Sequence, residues 1–219
     1  MNSLREIYEL LYKRYGPQHW WPGESRFEII IGAILTQNTN WQNVEKAIGN
    51  LKAAKLMDEH KLHGLLPQQL AELIRPAGYY NMKAVRIKNF LNWLFEAHNG
   101  SLESLEQMNT RLLRESLLHI KGIGPETADS ITLYAFNKPI FVIDAYTARV
   151  VIRHRLIEYG AGYEALQELF TSGLPQDTQL FNEYHALLVQ VGKDFCRKTA
   201  RCSGCPLEEL PHDTDAPYY

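Results

Sequence analysis

Apolar residues recur in this chain at helical spacing. Leu4, Ile7, Tyr8 and Leu11 do so near the start, followed by Phe27, Ile30, Ile31 and Ile34. Ile87, Phe90, Leu91 and Leu94 repeat the pattern, as do Leu166, Leu169 and Phe170. A period of about 3.6 residues places each set on one face of a helix. Strict alternation is rare, and Pro139–Ile143 is the one short candidate for an extended segment. The pattern predicts an all-α chain of many short helices. With 219 residues, 45% of them apolar, the chain can bury one large core or two smaller ones. A formal charge of −2 gives no overall attraction for polyanions, but a local basic patch would suffice. No apolar run reaches the ~18 residues of a membrane span. Residues 1–14 mix charge with apolar side chains and lack the apolar centre of a secretion signal. An intracellular, cytoplasmic protein is expected.

Glycine and proline clusters divide the helices: Trp21-Pro22-Gly23, Arg75-Pro76-Ala77-Gly78, Asn99-Gly100, Gly122-Ile123-Gly124-Pro125 and Gly160-Ala161-Gly162 among them. No low-complexity linker appears, so a second domain would pack closely on the first. The most informative turn follows Leu117, Leu118 and Ile120. In Lys121-Gly122-Ile123-Gly124 the two glycines leave backbone N–H groups open, with no Cβ in the way. Pro125 suits the first turn of the next helix. Ile123 would plug the turn into the core, and the open amides beside Lys121 would bind a phosphate oxygen. A helical hairpin with glycine caps and no ligand is the alternative.

Lys121-Gly122-Ile123-Gly124, followed by Val142-Ile143-Asp144, resembles the hairpin and catalytic-aspartate pattern of the endonuclease III superfamily of helix-hairpin-helix DNA glycosylases. Leu35-Thr36-Gln37-Asn38-Thr39, Gly78-Tyr79-Tyr80-Asn81-Met82-Lys83-Ala84 and the C-terminal cysteines extend the match in the same order. The resemblance implies two packed helical domains. Residues 24–137 would form a helical barrel with the hairpin. Residues 1–23 plus 138–219 would form a second helical domain ending in a cysteine loop, with the DNA cleft between the two. It also implies a nucleoid-associated monomer acting on double-stranded DNA that contains a damaged base.

In that family Asp144 would be the catalytic carboxylate. Breaking an N-glycosidic bond builds positive charge on the sugar, which a fixed carboxylate stabilises while it orients or deprotonates water. From residue type alone Asp144 is equally an N-cap, and both roles can coexist. Relatives that also nick the backbone carry a lysine just inside the second hairpin helix, where this chain has Glu126. A carboxylate cannot form the imine, so a monofunctional glycosylase is expected. Such an enzyme suits a base that leaves easily, an alkylated purine such as 3-methyladenine. A cationic base is recognised by aromatic faces. Trp21, Pro22 and Trp41 resemble the pocket of the bacterial 3-methyladenine glycosylases of endonuclease III type. The alternatives are a glycosylase/lyase for oxidised pyrimidines and a non-catalytic DNA-binding module.

By the same resemblance Gln37 is the wedge that fills the gap left by the flipped base, with a buried helix-capping glutamine as the alternative. No acidic residue lies between Leu73 and Phe95, where Arg75, Lys83, Arg86 and Lys88 fall. Arg149, Arg153 and Arg155 fall in a second such stretch. These are candidate phosphate-facing surfaces, with Lys83 and Arg149 the named DNA contacts beside Lys121, Gly122, Ile123 and Gly124.

The three cysteines, Cys196, Cys202 and Cys205, have the spacing C-x5-C-x2-C. An odd, clustered set in a reducing compartment points to metal before disulfide. The resemblance implies a [4Fe–4S] cluster, but Pro211 stands where the family has its fourth cysteine. His212 is the next residue and a possible substitute ligand. Three readings stay open: a cluster with His212 or an outside ligand, a degenerate loop without a cluster, and zinc held by Cys3His.

Overall fold

The computed structural model describes residues 3–216, and among these there is no β-strand. The helices are α1 (Leu4–Tyr15), α2 (Arg26–Leu35), α3 (Trp41–Ala53), α4 (Glu59–Gly64), α5 (Pro67–Leu73), α6 (Tyr80–His98), α7 (Leu102–Glu106), α8 (Thr110–Leu118), α9 (Pro125–Ser130), α10 (Ala145–Arg153), α11 (Tyr163–Gly173) and α12 (Thr178–Asp194). The all-α expectation holds. Many helices begin at a short polar residue whose side chain takes an orphan amide of the first turn. Ser3, Ser25, Asn40, Asn109, Asp144 and Asp177 all do this. Pro139–Ile143 is irregular backbone without a ladder. Its polar groups are met instead by side chains: Gln167 Nε2 donates to Phe141 O at 2.6 Å, and the Tyr163 hydroxyl accepts from Ile143 N at 3.3 Å.

The chain divides into two compact units. One is Trp21–Lys138; the other joins the chain up to Trp20 with the chain from Pro139 onward. The first unit holds α2 to α9, with a π-helical turn (Ile131–Ala135) continuing α9. α2 packs on α3, α6 and the π-helical turn, and α5 packs along α6. The core joins Ile30, Ile31 and Ile34 of α2 to Phe90, Leu91 and Leu94 of α6, with Ile123 closing it from the hairpin.

The second unit is built on α12, against which α1 and α10 pack. Phe141 stacks on Phe170 with ring centroids 3.8 Å apart and meets Phe181 edge-on. Truncating such a fully buried ring to alanine costs about 3–5 kcal/mol. α10 approaches α12 closely because residue 192 is glycine: a Cβ there would lie 2.5 Å from Tyr146 Cδ1. That approach fixes where the start of α10, and with it Asp144, stands over α12. Among the described residues no helix is long and apolar enough to cross a membrane.

Candidate active site

The hairpin joins α8 to α9. Gly122 adopts φ +96°, open to glycine and strained for other residues. It also lies under Arg86: a Cβ at this position would be 2.5 Å from Arg86 Cγ. Ile123 is buried, while Lys121, Gly122 and Gly124 are exposed. The loop is fastened from outside. Asn89 Nδ2 donates to Lys121 O at 2.9 Å. Gln37 Nε2 donates to Gly122 O at 3.1 Å and to Thr127 Oγ1 at 2.9 Å, and its Oε1 accepts from Arg86 Nη1. Gln37 is therefore docked on the hairpin in this structure. Behind the turn, the Arg114 guanidinium pairs with the buried Asp129 carboxylate at 2.7 Å, tying α8 to α9.

Asp144 is the N-cap of α10. Its Oδ1 accepts from Thr147 N at 2.7 Å. Its Oδ2 lies 3.7 Å from His185 Nε2, and the Asp144 side chain keeps 15% of its surface exposed. The cap accounts for one oxygen, and the other faces His185.

A family model described as HhH-GPD superfamily base excision DNA repair protein matches residues 31–176, a stretch that contains both the hairpin and Asp144. The chain belongs to this superfamily. It is a base excision repair DNA glycosylase of the endonuclease III-like kind. Among its relatives, a Methanocaldococcus jannaschii protein named "Putative DNA repair glycosylase" is 48% identical, over 95% of this chain and 96% of the relative. Endonuclease III of Thermotoga maritima is 26% identical over 94% of this chain and 90% of the relative. Among solved structures, H. pylori 3-methyladenine DNA glycosylase bound to 1,N6-ethenoadenine matches with TM-score 0.77 and 31% identity, over 88% of this chain and 98% of that one. An endonuclease III–DNA complex shares the fold at TM-score 0.82 and 21% identity, covering 96% of each chain.

In this glycosylase the double tryptophan is divided between the units. Trp21 meets Trp41 edge-on at 5.3 Å and Tyr134 at 5.1 Å, and Gly32 keeps the floor beneath it clear. Pro22 beside it is exposed. Trp20 instead stacks on His185 at 5.6 Å.

Two basic residues expected on the surface are inside. Lys83 is 1% exposed; its Nζ donates to Leu35 O at 2.9 Å and Ala77 O at 2.7 Å, closing the ends of two helical segments. Burial lowers its pKa to about 8, and the neighbouring Arg86 charge adds to this. As folded, Lys83 is a structural cation and not a phosphate contact. Arg149 is likewise buried: its Nε donates to Cys196 O at 2.6 Å and its guanidinium lies over the Tyr146 ring. The absence of nearby acids suggests a place outside, but their partners are carbonyls and an aromatic face. Tyr79, inside the matched Gly78–Ala84 segment, carries no expected role of its own. It is 69% exposed, in left-handed backbone at φ +46°, at the start of α6.

The cysteine loop hangs on α10. Arg153 donates from Nη1 to Arg197 O at 2.6 Å and from Nη2 to Lys198 O at 2.7 Å, with Nη1 3.5 Å from Cys196 Sγ. Cys196, Cys202, Cys205, His154, His212 and Arg153 are among the residues lining one small pocket. Burial and the neighbouring cysteines push the Cys205 thiol up to about 11. His154 is buried and neutral, its pKa lowered to about 4 by desolvation. Among the described residues no three His, Cys, Asp or Glu donors converge as a single ion would require. Arg153 Nε is buried without a hydrogen-bond partner, and the Arg153 cation is bonded chiefly to neutral carbonyls. An anionic thiolate-held group would match it, so the residues present fit a cluster.

Proposed function

We propose that this glycosylase is monofunctional and removes alkylated purines such as 3-methyladenine from double-stranded DNA. The observation that carries the reading is Asp144 at the start of α10, held by a cap bond to one oxygen with its side chain still partly exposed. A purine alkylated on the ring is already cationic and leaves with the glycosidic electron pair as a neutral base. Positive charge then appears on the sugar, where the Asp144 carboxylate stabilises it. Water adds to the anomeric carbon and its proton passes to Asp144, giving the abasic sugar and the free base. Glu126 stands where a lyase needs an amine. Trp21, Pro22 and Trp41, with Tyr134 behind them, offer the aromatic surface a cationic base prefers. The similarity to H. pylori 3-methyladenine DNA glycosylase, bound to 1,N6-ethenoadenine, supports the same substrate class. Phosphates would meet the Lys121–Gly124 loop, and Gln37 would act as wedge after release from its hairpin bonds.

The cysteine loop would hold a [4Fe–4S] cluster through Cys196, Cys202, Cys205 and His212. His212 Nδ1 is 2.7 Å from Leu210 O; an N–H there leaves Nε2 as the free donor. The cluster would brace the loop, and no step of base removal uses it.

A panel of duplexes, each with one defined lesion, tests the reading when scored with and without alkali. Alkylated purines should be excised and strands should break only after alkali. Efficient borohydride trapping, or excision confined to oxidised pyrimidines, would overturn it.

A further inference from the structure

A histidine lies behind Asp144 that the reaction as described does not use. His185 sits in the middle of α12, in the apolar run Ala186, Leu187, Leu188, Val189. It is 4% exposed, an expensive place for an imidazole unless something there needs one. Its ring stacks on Trp20 at 17° and meets the Phe141 ring edge-on at 6.4 Å, so its plane is fixed from two sides. The ring edge faces Asp144, with Nε2 3.7 Å from Oδ2. The charges bearing on it are Asp144 on α10 and Lys193 on its own helix. Lys193 Nζ lies over the far ring of the stack, 5.8 Å from the Trp20 centroid.

Asp144 needs such a neighbour. Its Oδ1 bond to Thr147 N holds one oxygen, but the torsion about Cβ–Cγ is intrinsically broad and one contact does not set the carboxylate plane. The polar group placed to bear on Oδ2 is His185 Nε2, 3.7 Å away. What kind of group stands there also matters. A lysine or arginine would neutralise the carboxylate and weaken its hold on the sugar cation. An aliphatic side chain would leave the plane free. A buried imidazole gives direction without a full charge: desolvation lowers its pKa more than Asp144 raises it.

We propose that His185 is a positioning residue for Asp144: wedged between Trp20 and Phe141, it fixes the Oδ2 edge of the carboxylate while leaving its negative charge for the reaction. This rests on Asp144 being the catalytic group, and the experiment separates the two. Wild type, His185→Phe, His185→Gln and Asp144→Asn are compared in three measurements. These are the single-turnover rate of 3-methyladenine release from duplex DNA methylated with dimethyl sulfate, affinity for a duplex carrying a tetrahydrofuran abasic-site analogue, and Tm. Phenylalanine keeps the ring stack and loses the polar edge. His185→Phe should bind within about threefold of wild type yet release base about 10–10²-fold more slowly, the scale of a misplaced catalytic group. His185→Gln, with an amide near the Nε2 position, should recover most of the rate. The inference fails if Asp144→Asn is inactive while His185→Phe matches wild type. It also fails if folded His185→Gln is as slow as His185→Phe, or if rate and affinity fall together. If His185→Phe does not fold, His185→Gln decides alone: a near-wild-type rate supports positioning and a loss beyond about tenfold contradicts it. Asp144→Asn with a wild-type rate would instead sink the catalytic reading beneath it.

Discussion

The hairpin and the cysteine loop are both irregular connections that side chains from other helices tie down, but they are tied in opposite ways. At the hairpin the ties are Gln37, Asn89 and Arg86, and they take the loop's carbonyls and cover Gly122. Lys121 and both glycines remain at the surface. At the cysteine loop the ties are two buried guanidiniums, Arg149 and Arg153, which take the carbonyls of Cys196, Arg197 and Lys198 from inside. What they leave is a small pocket lined by thiols. On the proposed function the first loop would present its open amides to DNA and the second would enclose a cluster, so a charged side chain would act on affinity in one loop and on stability in the other.

Arg153→Met should break the second loop outright. Two backbone carbonyls lose their donors, at about 1–2 kcal/mol in all. The purified protein should lose Tm together with bound iron and visible absorbance. Unchanged iron content with normal Tm would erase the distinction between the loops. Lys83→Met sharpens it from the other unit, because Leu35 O and Ala77 O lose their shared donor. We expect a loss of about 2 kcal/mol in denaturant unfolding and an unchanged salt dependence of DNA binding. The pH dependence has a definite sign. Folding lowers the Lys83 pKa from about 10.5 to about 8, so the unfolded chain holds more protons between those values. Wild-type stability therefore gains a contribution as pH rises from about 8 to 10.5, and Lys83→Met removes that gain.

Gly122→Ala tests the hairpin. Left-handed strain and the clash with Arg86 should cost about 1–2 kcal/mol, and affinity for duplex DNA should fall with it. The smallest effect is expected for Lys121→Ala: normal Tm, weaker binding, and a slope of log K against log salt shallower by about one.

The contrast between Lys83 and Lys121 also marks how far the sequence could be read. Both are lysines in acid-poor surroundings. The partners that bury Lys83, the carbonyls of Leu35 and Ala77, end other segments and have no sequence pattern. Helices and caps were legible because they depend on neighbours within four residues. The two-glycine hairpin and the cap role of Asp144 belong to that class. His185 was missed for the opposite reason: its meaning comes from Trp20 and Phe141, each more than 40 positions away. One local signal pointed to it, a histidine inside an apolar run on α12. Gln37 was legible as a functional candidate, but its docking on Gly122 and Thr127 depends on residues far along the chain.

The account turns on Asp144. The most direct measurement is base release by Asp144→Asn on methylated duplex DNA, beside its affinity for the abasic-site analogue duplex. We predict affinity within about threefold of wild type and release slowed by about 10²–10³-fold or more, as expected for a lost electrostatic partner of the transition state. Release within about tenfold of wild type would contradict the assignment of the carboxylate as the catalytic group.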